Sequence, residues 1–244
     1  MLLDRYREAI DALFKKVRDT QTENIIKAGE VVADSVANGG CIFLSSICHS
    51  MEMDSIYRGG GPIFYRHFSY NLNVENTARA RDNSDLGRDT QGAEARYALT
   101  QSNFRPGDVL FLSSVSGRTK KVVDLAYEAV QLGIKVIAFT SMEYAVEVDP
   151  VHPSGKKLYE IATITIDNCA PAAEAMLDVD GIEAKFGAAS GIASDYIMWS
   201  ITSVAVEKLL EKGITPGILK SANFPGGNDY NKTVIEPNYD KYGW

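Results

Sequence analysis

The chain has 244 residues, of which 45% are apolar, and a formal net charge of −7. That length and apolar share suffice for a packed core in one α/β domain or two small ones. The acidic balance, with no basic run to neutralise phosphates, argues against a nucleic-acid partner, and no uncharged apolar stretch approaches the length of a membrane span.

The N-terminal residues carry charges every few positions and lack the apolar region of a signal peptide. Leu3, Tyr6, Ile10, Leu13, Phe14 and Val17 share one face of a helix over 2–18. Thr20 with Glu23 reads as a capping box that opens a second helix, with Ile25, Ile26, Ala28, Val31, Val32 and Val36 inward and Asn38-Gly39-Gly40 at its end. Such a helical pair could read DNA. Six basic against seven acidic residues in the first 38 favour packing at an oligomer interface instead.

Cys41 to Leu44 is a short buried strand, followed by a polar loop over 45–50. Glu52 and Asp54 fall on the next helix, with Tyr57 and Arg58 one turn on and Gly59-Gly60-Gly61 as its stop. Either acid could abstract a proton α to a carbonyl, or could simply complement a helix dipole. Residues 71–91 are polar and rich in turn formers. Arg79, Arg81 and Arg88 make them a lid over an anionic ligand, or else pair with Asp82, Asp85 and Asp89 in solvent. A helix over 89–102 leads to the turn at Pro106-Gly107.

Residues 108–140 carry the most information. An apolar strand, Val109 to Leu112, runs into Ser113-Ser114-Val115-Ser116-Gly117-Arg118-Thr119, which has four hydroxyls in seven residues. A helix follows, with Val122, Leu125, Ala126, Ala129 and Val130 on one stripe and Gly133 at its stop, and Val136 to Phe139 begins the next strand. A loop of this kind brings free amides and the positive end of a helix dipole to one point, which suits a phosphate or carboxylate. The bland alternative is a strand-to-helix turn with a Ser N-cap, which accounts for one hydroxyl and not four. There is no G-x-G-x-x-G and no Walker A lysine.

The stretch 142–157 reads as irregular and contains His152, which is a loop histidine exposed to solvent or the partner that shuttles a proton between adjacent oxygens. Lys156 could neutralise a phosphate, while Lys157 is expected in solvent. Residues 161–166 alternate Ile and Thr as a strand, and Asp167-Asn168 ends it on the side where such sheets bind ligands. Ser190 and Ser194 open a long helix over 190–212, with Ser190 as its N-cap. Strands alternating with helices predict a three-layer α/β/α sandwich around a five-stranded, mostly parallel sheet with right-handed crossovers. Cys41, Cys48 and Cys169 form no C-x-x-C pair and fit a reducing cytoplasm. Three scattered His and three scattered Cys lack ligand spacing, so neither metal nor cofactor is expected.

The loop Ser114-x-Ser116-Gly117-x-Thr119, between an apolar strand and a helix, resembles the second signature of SIS (sugar isomerase) domains, which bind phosphosugars. Residues 56–61 (IYRGGG), 154–168 and 221–231 are similar to segments of a branch of stand-alone phosphosugar or phosphoheptose isomerase-like proteins, and the likeness spans most of 20–232. The resemblance implies one SIS domain over 1–244, a tail over 213–244 that packs on a neighbouring subunit, and a homodimer or homotetramer. It places the first phosphosugar loop at Ser46, Cys48 and His49, where the branch reads roughly G-T-G-H-S-H. Ser46 then stands at a Gly, Ile47 at a His and Cys48 at a Ser, and His49 keeps its type. Asp54 aligns with a family Glu, Lys156 matches a family segment, Glu174 stands near a family Asp, and Ser190 lies where the helix approaches the sugar. The expected ligand is a small-molecule sugar phosphate held by Ser46, Cys48, His49, Ser114, Ser116, Gly117, Arg118, Thr119, Lys156 and Ser190. The expected chemistry is aldose–ketose isomerisation with Asp54, Glu52, His152 and Glu174 as acid–base candidates. The acids at 52, 54 and 174 speak for an enzyme. The altered Ser46-Ile47-Cys48 speaks for a non-catalytic phosphosugar-binding or regulatory protein, and a lyase-type ether cleavage would need the same α-proton abstraction.

Overall fold

The computed structural model of the protein describes residues 1–45, 54–73, 75 and 92–244. Its centre is a five-stranded, fully parallel sheet made of β1 (Ile42–Ser45), β2 (Tyr65–Phe68), β3 (Val109–Ser113), β4 (Lys135–Thr140) and β5 (Ile164–Asp167), in the order β2-β1-β3-β4-β5. The pleat sends alternate residues of each strand to opposite faces. Ile42, Leu44, Val109, Phe111, Ile137 and Phe139 share one buried cluster with α1 (Leu2–Ala37) and the long C-terminal helix. Leu110, Leu112, Val136 and Ala138 share the other with α2 (Ala93–Gln101) and α3 (Lys120–Gln131). Apolar residues at both phases of β3 and β4 are what a sheet covered on both faces requires. The expected three-layer α/β/α architecture is therefore the observed one.

The N-terminal pair expected from the Thr20–Glu23 box is a correction. Residues 2–37 form one continuous helix, about 54 Å long at the usual rise. Thr20 caps nothing; its hydroxyl donates to Lys16 O at 2.8 Å, the back-bonding that lets Thr sit inside a helix. On the sheet, α1 packs against α5 (Ser190–Glu211) at Gly29, where an added Cβ would lie 2.5 Å from Val204 Cβ. Glycine permits that close approach of the two backbones.

Three further differences bear on the site. β2 was not expected, because Tyr-Arg-His-Phe has two polar residues in four. The stretch taken as irregular contains α4 (Met142–Glu147), whose N-cap Ser141 accepts from Tyr144 N at 3.1 Å, and a short 3₁₀ helix, Leu158–Glu160. After β5 the chain forms a small antiparallel hairpin, β6 (Ala175–Leu177) with β7 (Phe186–Ala188). The C-terminal segment lies against its own chain: Pro62 bridges to Ile218, Ile235 is buried, and Arg66 stacks over the ring of Tyr239 at 3.5 Å. Among the described residues no helix is long and apolar enough to cross a membrane.

Candidate functional site

The strand order reverses between β1 and β3: from β1 the chain goes outward to β2, then returns to β3 and proceeds the other way through β4 and β5. In open parallel sheets the crevice beyond the carboxyl ends at such a switch point is where ligands bind. Ser113 ends β3 at that point, so the loop Ser114–Thr119 occupies it.

This loop is pinned from behind. Thr140, fully buried at the end of β4, shares its hydroxyl proton between Ser114 O at 2.7 Å and Val115 O at 3.1 Å. Ser114 N donates to Phe139 O, Ser141 N to Val115 O and Gly117 N to Ser114 O, each at 3.0 Å. Gly117 has φ 63, and Leu158 N donates to its carbonyl at 2.7 Å. The carbonyls thus face the scaffold. Among the described residues, the N–H groups of Ser116, Arg118 and Thr119 and the hydroxyls of Ser114, Ser116 and Thr119 enter no hydrogen bond. Thr119, not a serine, is the N-cap of α3, and it caps without a side-chain bond. Ser116 and Arg118 are half-buried and Thr119 is exposed; Arg118 Nη1 reaches Asp149 O at 3.5 Å. The loop therefore presents donors at the N-terminus of a twelve-residue helix.

Ser141 links this loop to the end of β5. Its hydroxyl donates to Ala170 O at 2.6 Å, and Asp167 Oδ1 accepts from Met142 N at 3.0 Å and Cys169 N at 2.8 Å. Three and four residues beyond Ala170 the backbone is strained: Ala173 and Glu174 have φ 60 and 79, a conformation that costs non-glycine residues about 1–2 kcal/mol each. Glu174 is held there by Ala189 N, which donates to its carbonyl partner Glu174 O at 3.0 Å, and by the Ser190 hydroxyl, which donates to its carboxylate. Ser190 is accordingly the first residue of α5, with Ala189 at the N-cap, and its side chain serves Glu174 rather than the helix end.

The other expected site residues are distributed differently. Ser46, Cys48, His49 and Glu52 lie outside the described residues, as do Arg79, Arg81 and Arg88. Asp54 stands at the end of a helical turn (54–55) and forms an ion pair with Arg58. Trp199 Nε1 donates to Asp54 Oδ2 at 3.1 Å. Tyr57, between them, has φ 55, so the helix does not extend to Arg58 as expected. His152, read as exposed or as a proton shuttle, is buried and bonded. Its side chain is 3% exposed, with Nε2 2.9 Å from Asp124 Oδ1 and Nδ1 2.7 Å from Ser154 Oγ. Ser154 N donates to Nδ1, which places the ring proton on Nε2, toward Asp124. Lys156 is exposed. Lys157, expected in solvent, is buried, and its ammonium donates to Ala145 O at 2.5 Å and Val148 O at 2.9 Å, satisfying the end of α4. Sequence reasoning also missed Thr140, Ser141, Asp124 and Asp195. For Asp195 a signal existed, since it is the sole charge in the seventeen residues from Ser190 to Val206.

The architecture is that of a three-layer α/β protein whose loops gather at the switch point of a parallel sheet. The chain belongs to the SIS domain family, whose model matches residues 5–141. It is 34% identical to a UPF0309 protein of Streptomyces avermitilis over 98% of this chain and 96% of that one. A UPF0309 protein of Oceanobacillus iheyensis is 33% identical over 97% of this chain and 96% of its own. Among solved structures, phosphoheptose isomerase from Neisseria gonorrhoeae superposes with a TM-score of 0.50 at 14% identity, covering 85% of this chain and 96% of that one. The Vibrio vulnificus NanR protein complexed with ManNAc-6P gives a TM-score of 0.51 at 15% identity, covering 87% of this chain and 65% of that one. At these identities the two structures speak to the fold alone.

Proposed function

We propose that this protein binds a sugar phosphate at the switch point and interconverts its aldose and ketose forms. The observation that carries the reading is the Ser114–Thr119 loop at the N-terminus of α3: the hydroxyls of Ser114, Ser116 and Thr119 and the amides of Ser116, Arg118 and Thr119 enter no hydrogen bond among the described residues, while the carbonyls of Ser114, Val115 and Gly117 are tied back by Thr140, Gly117, Ser141 and Leu158. Ser114, Ser116 and Thr119 with the amides around Gly117 take the phosphate, and Arg118 adds charge at the rim. Isomerisation needs a base for the proton on the carbon next to the carbonyl, and the electron pair of that C–H bond becomes the double bond of an enediolate. Glu174 suits the role: it is half-buried, held in a strained backbone and oriented by the Ser190 hydroxyl. Asp54 is the second candidate, its charge already offset by Arg58. His152, sealed between Asp124 and Ser154, is withdrawn from the chemistry.

One observation favours a second reading, that of a non-catalytic phosphosugar-binding or regulatory protein. Asp54 is engaged by both Arg58 and Trp199, as befits a structural or binding group. Exchange of the substrate's α-proton with deuterated water, followed by nuclear magnetic resonance across aldose and ketose phosphates, separates the two. Exchange that Glu174→Gln or Asp54→Asn reduces by about 10²-fold or more supports the isomerase. A sugar phosphate that binds tightly and never exchanges supports the binding protein. A homodimer or homotetramer, with the segment 213–244 contributing to the contact, belongs to the same proposal and is read by light scattering.

A further inference from the structure

α5 carries no charge from Ser190 to Val206 apart from Asp195. The Oδ1 atom of Asp195 is shielded from solvent and has no hydrogen-bond partner among the described residues. Burial pushes its carboxyl above the ordinary aspartate range, and the nearby charge of Arg58 opposes that rise. Arg58 is ion-paired to Asp54, and Asp54 in turn accepts from Trp199, one helical turn beyond Asp195. Arg58 is thus paired with one carboxyl and acts on the second only through its charge.

The surroundings contain more unpaired polar atoms. Ser55 is 2% exposed and Ser194 is 0% exposed, yet neither hydroxyl has a partner among the described residues. Ser55 adjoins Asp54, and Ser194 adjoins Asp195. A buried hydroxyl or carboxyl without a partner is unfavourable and rare in a folded protein. Three such atoms on the two elements tied together by the Asp54–Trp199 bond mark groups arranged for a ligand rather than for the fold. Both elements border the crevice. Residues 54–58 follow the carboxyl end of β1, and α5 starts at Ser190, bonded to Glu174 beyond β5. Asp195 lies about 7.5 Å along the helix from Ser190.

We propose that Asp195, one helical turn from the Trp199 that binds Asp54, is a further ligand-binding residue that takes a hydroxyl of the sugar whose phosphate occupies the Ser114–Thr119 loop. The inference rests on the phosphosugar reading and deepens it. A carboxyl oxygen that accepts, with unpaired serine hydroxyls near it that both donate and accept, matches neighbouring hydroxyls, so the ligand class is a phosphate carrying a polyhydroxylated chain or ring.

The test is calorimetric titration of the full-length protein, Asp195→Ala and Asp195→Asn with inorganic phosphate, glycerol phosphate, and pentose, hexose and heptose phosphates. The wild type is expected to bind at least one sugar phosphate more tightly than inorganic phosphate. Both variants should keep the affinity for inorganic phosphate to within about twofold, while Asp195→Ala loses about tenfold or more on that sugar phosphate and Asp195→Asn less. If Asp195→Ala does not fold, the isosteric Asn variant decides. Variants with wild-type affinity for the sugar phosphate overturn the role of Asp195 and leave the phosphate loop standing. A wild type that binds all these phosphates equally overturns hydroxyl recognition alone; one that binds none overturns both readings.

Discussion

Thr140→Val isolates the device that turns the phosphate loop outward. Valine has nearly the shape of threonine, so the substitution removes the hydroxyl with little change in packing. The single proton it removes is shared between Ser114 O and Val115 O, at 2.7 and 3.1 Å. Neither carbonyl is orphaned, because Gly117 N still donates to Ser114 O and Ser141 N to Val115 O. The loss is therefore that of one shared hydrogen bond, about 1 kcal/mol, without the added penalty of a buried unpaired acceptor. For a chain of this length that lowers the unfolding midpoint by about 2–4 °C. The same carbonyls, each left with one donor instead of two, are freer to tilt toward the crevice and repel an anion, so phosphate affinity should fall about three- to tenfold. Thermal unfolding by circular dichroism and calorimetric titration of inorganic phosphate read the two effects separately. Thr140→Ser, which restores the donor, should recover affinity even if the missing methyl lowers stability. A Thr140→Val protein with wild-type phosphate affinity would refute the argument that this hydroxyl shapes the loop.

Ser116→Ala should weaken sugar-phosphate binding by about tenfold or more, the loss of one bond to a charged oxygen, and unchanged calorimetric affinity would remove Ser116 from the site. Gly29→Ala places a Cβ 2.5 Å from Val204 Cβ. The overpacking cost, about 1–3 kcal/mol, should outweigh the helix-propensity gain of about 0.5–1 kcal/mol. Urea unfolding should show a net loss that the added change Val204→Ala largely recovers. Asp195 supplies a pH test. A carboxyl raised above its ordinary range in the fold stabilises it while protonated, at acid pH, and that contribution is lost as pH rises through the raised value. Asp195→Asn should therefore flatten the decline in stability as pH rises above the ordinary aspartate range, with urea midpoints measured across pH as the check; a parallel decline in both proteins would contradict it.

Much of the frame was legible from residues alone, for a local reason. Strands buried on both faces must be continuous apolar runs, so 109–113 and 135–140 announced themselves, and Gly133 marked the stop between helix and strand. The hydroxyl loop was legible because four hydroxyls exceed what a helix cap can use. Where local chemistry allows two outcomes, tertiary contacts chose between them. Thr20 and Glu23 satisfy a capping pattern, yet the sheet offers one long face, and burying it from Leu13 to Val36 favours an unbroken helix. Tyr65-Arg66-His67-Phe68 has little strand character by itself; it becomes β2 because Ile42–Ser45 provides an open parallel edge. Lys157 carries a charge suited to water, but the end of α4 offers two carbonyls that its ammonium satisfies. His152 is an acid–base candidate in isolation and a buried link to Asp124 in the fold. The identity of the outward-facing donors is thus a property of the amino-acid order. The placement of Asp54, Glu174 and Asp195 depends on how α5 and the segment after β1 pack, because the bonds that hold them, Trp199 to Asp54 and Ser190 to Glu174, join residues far apart in the chain.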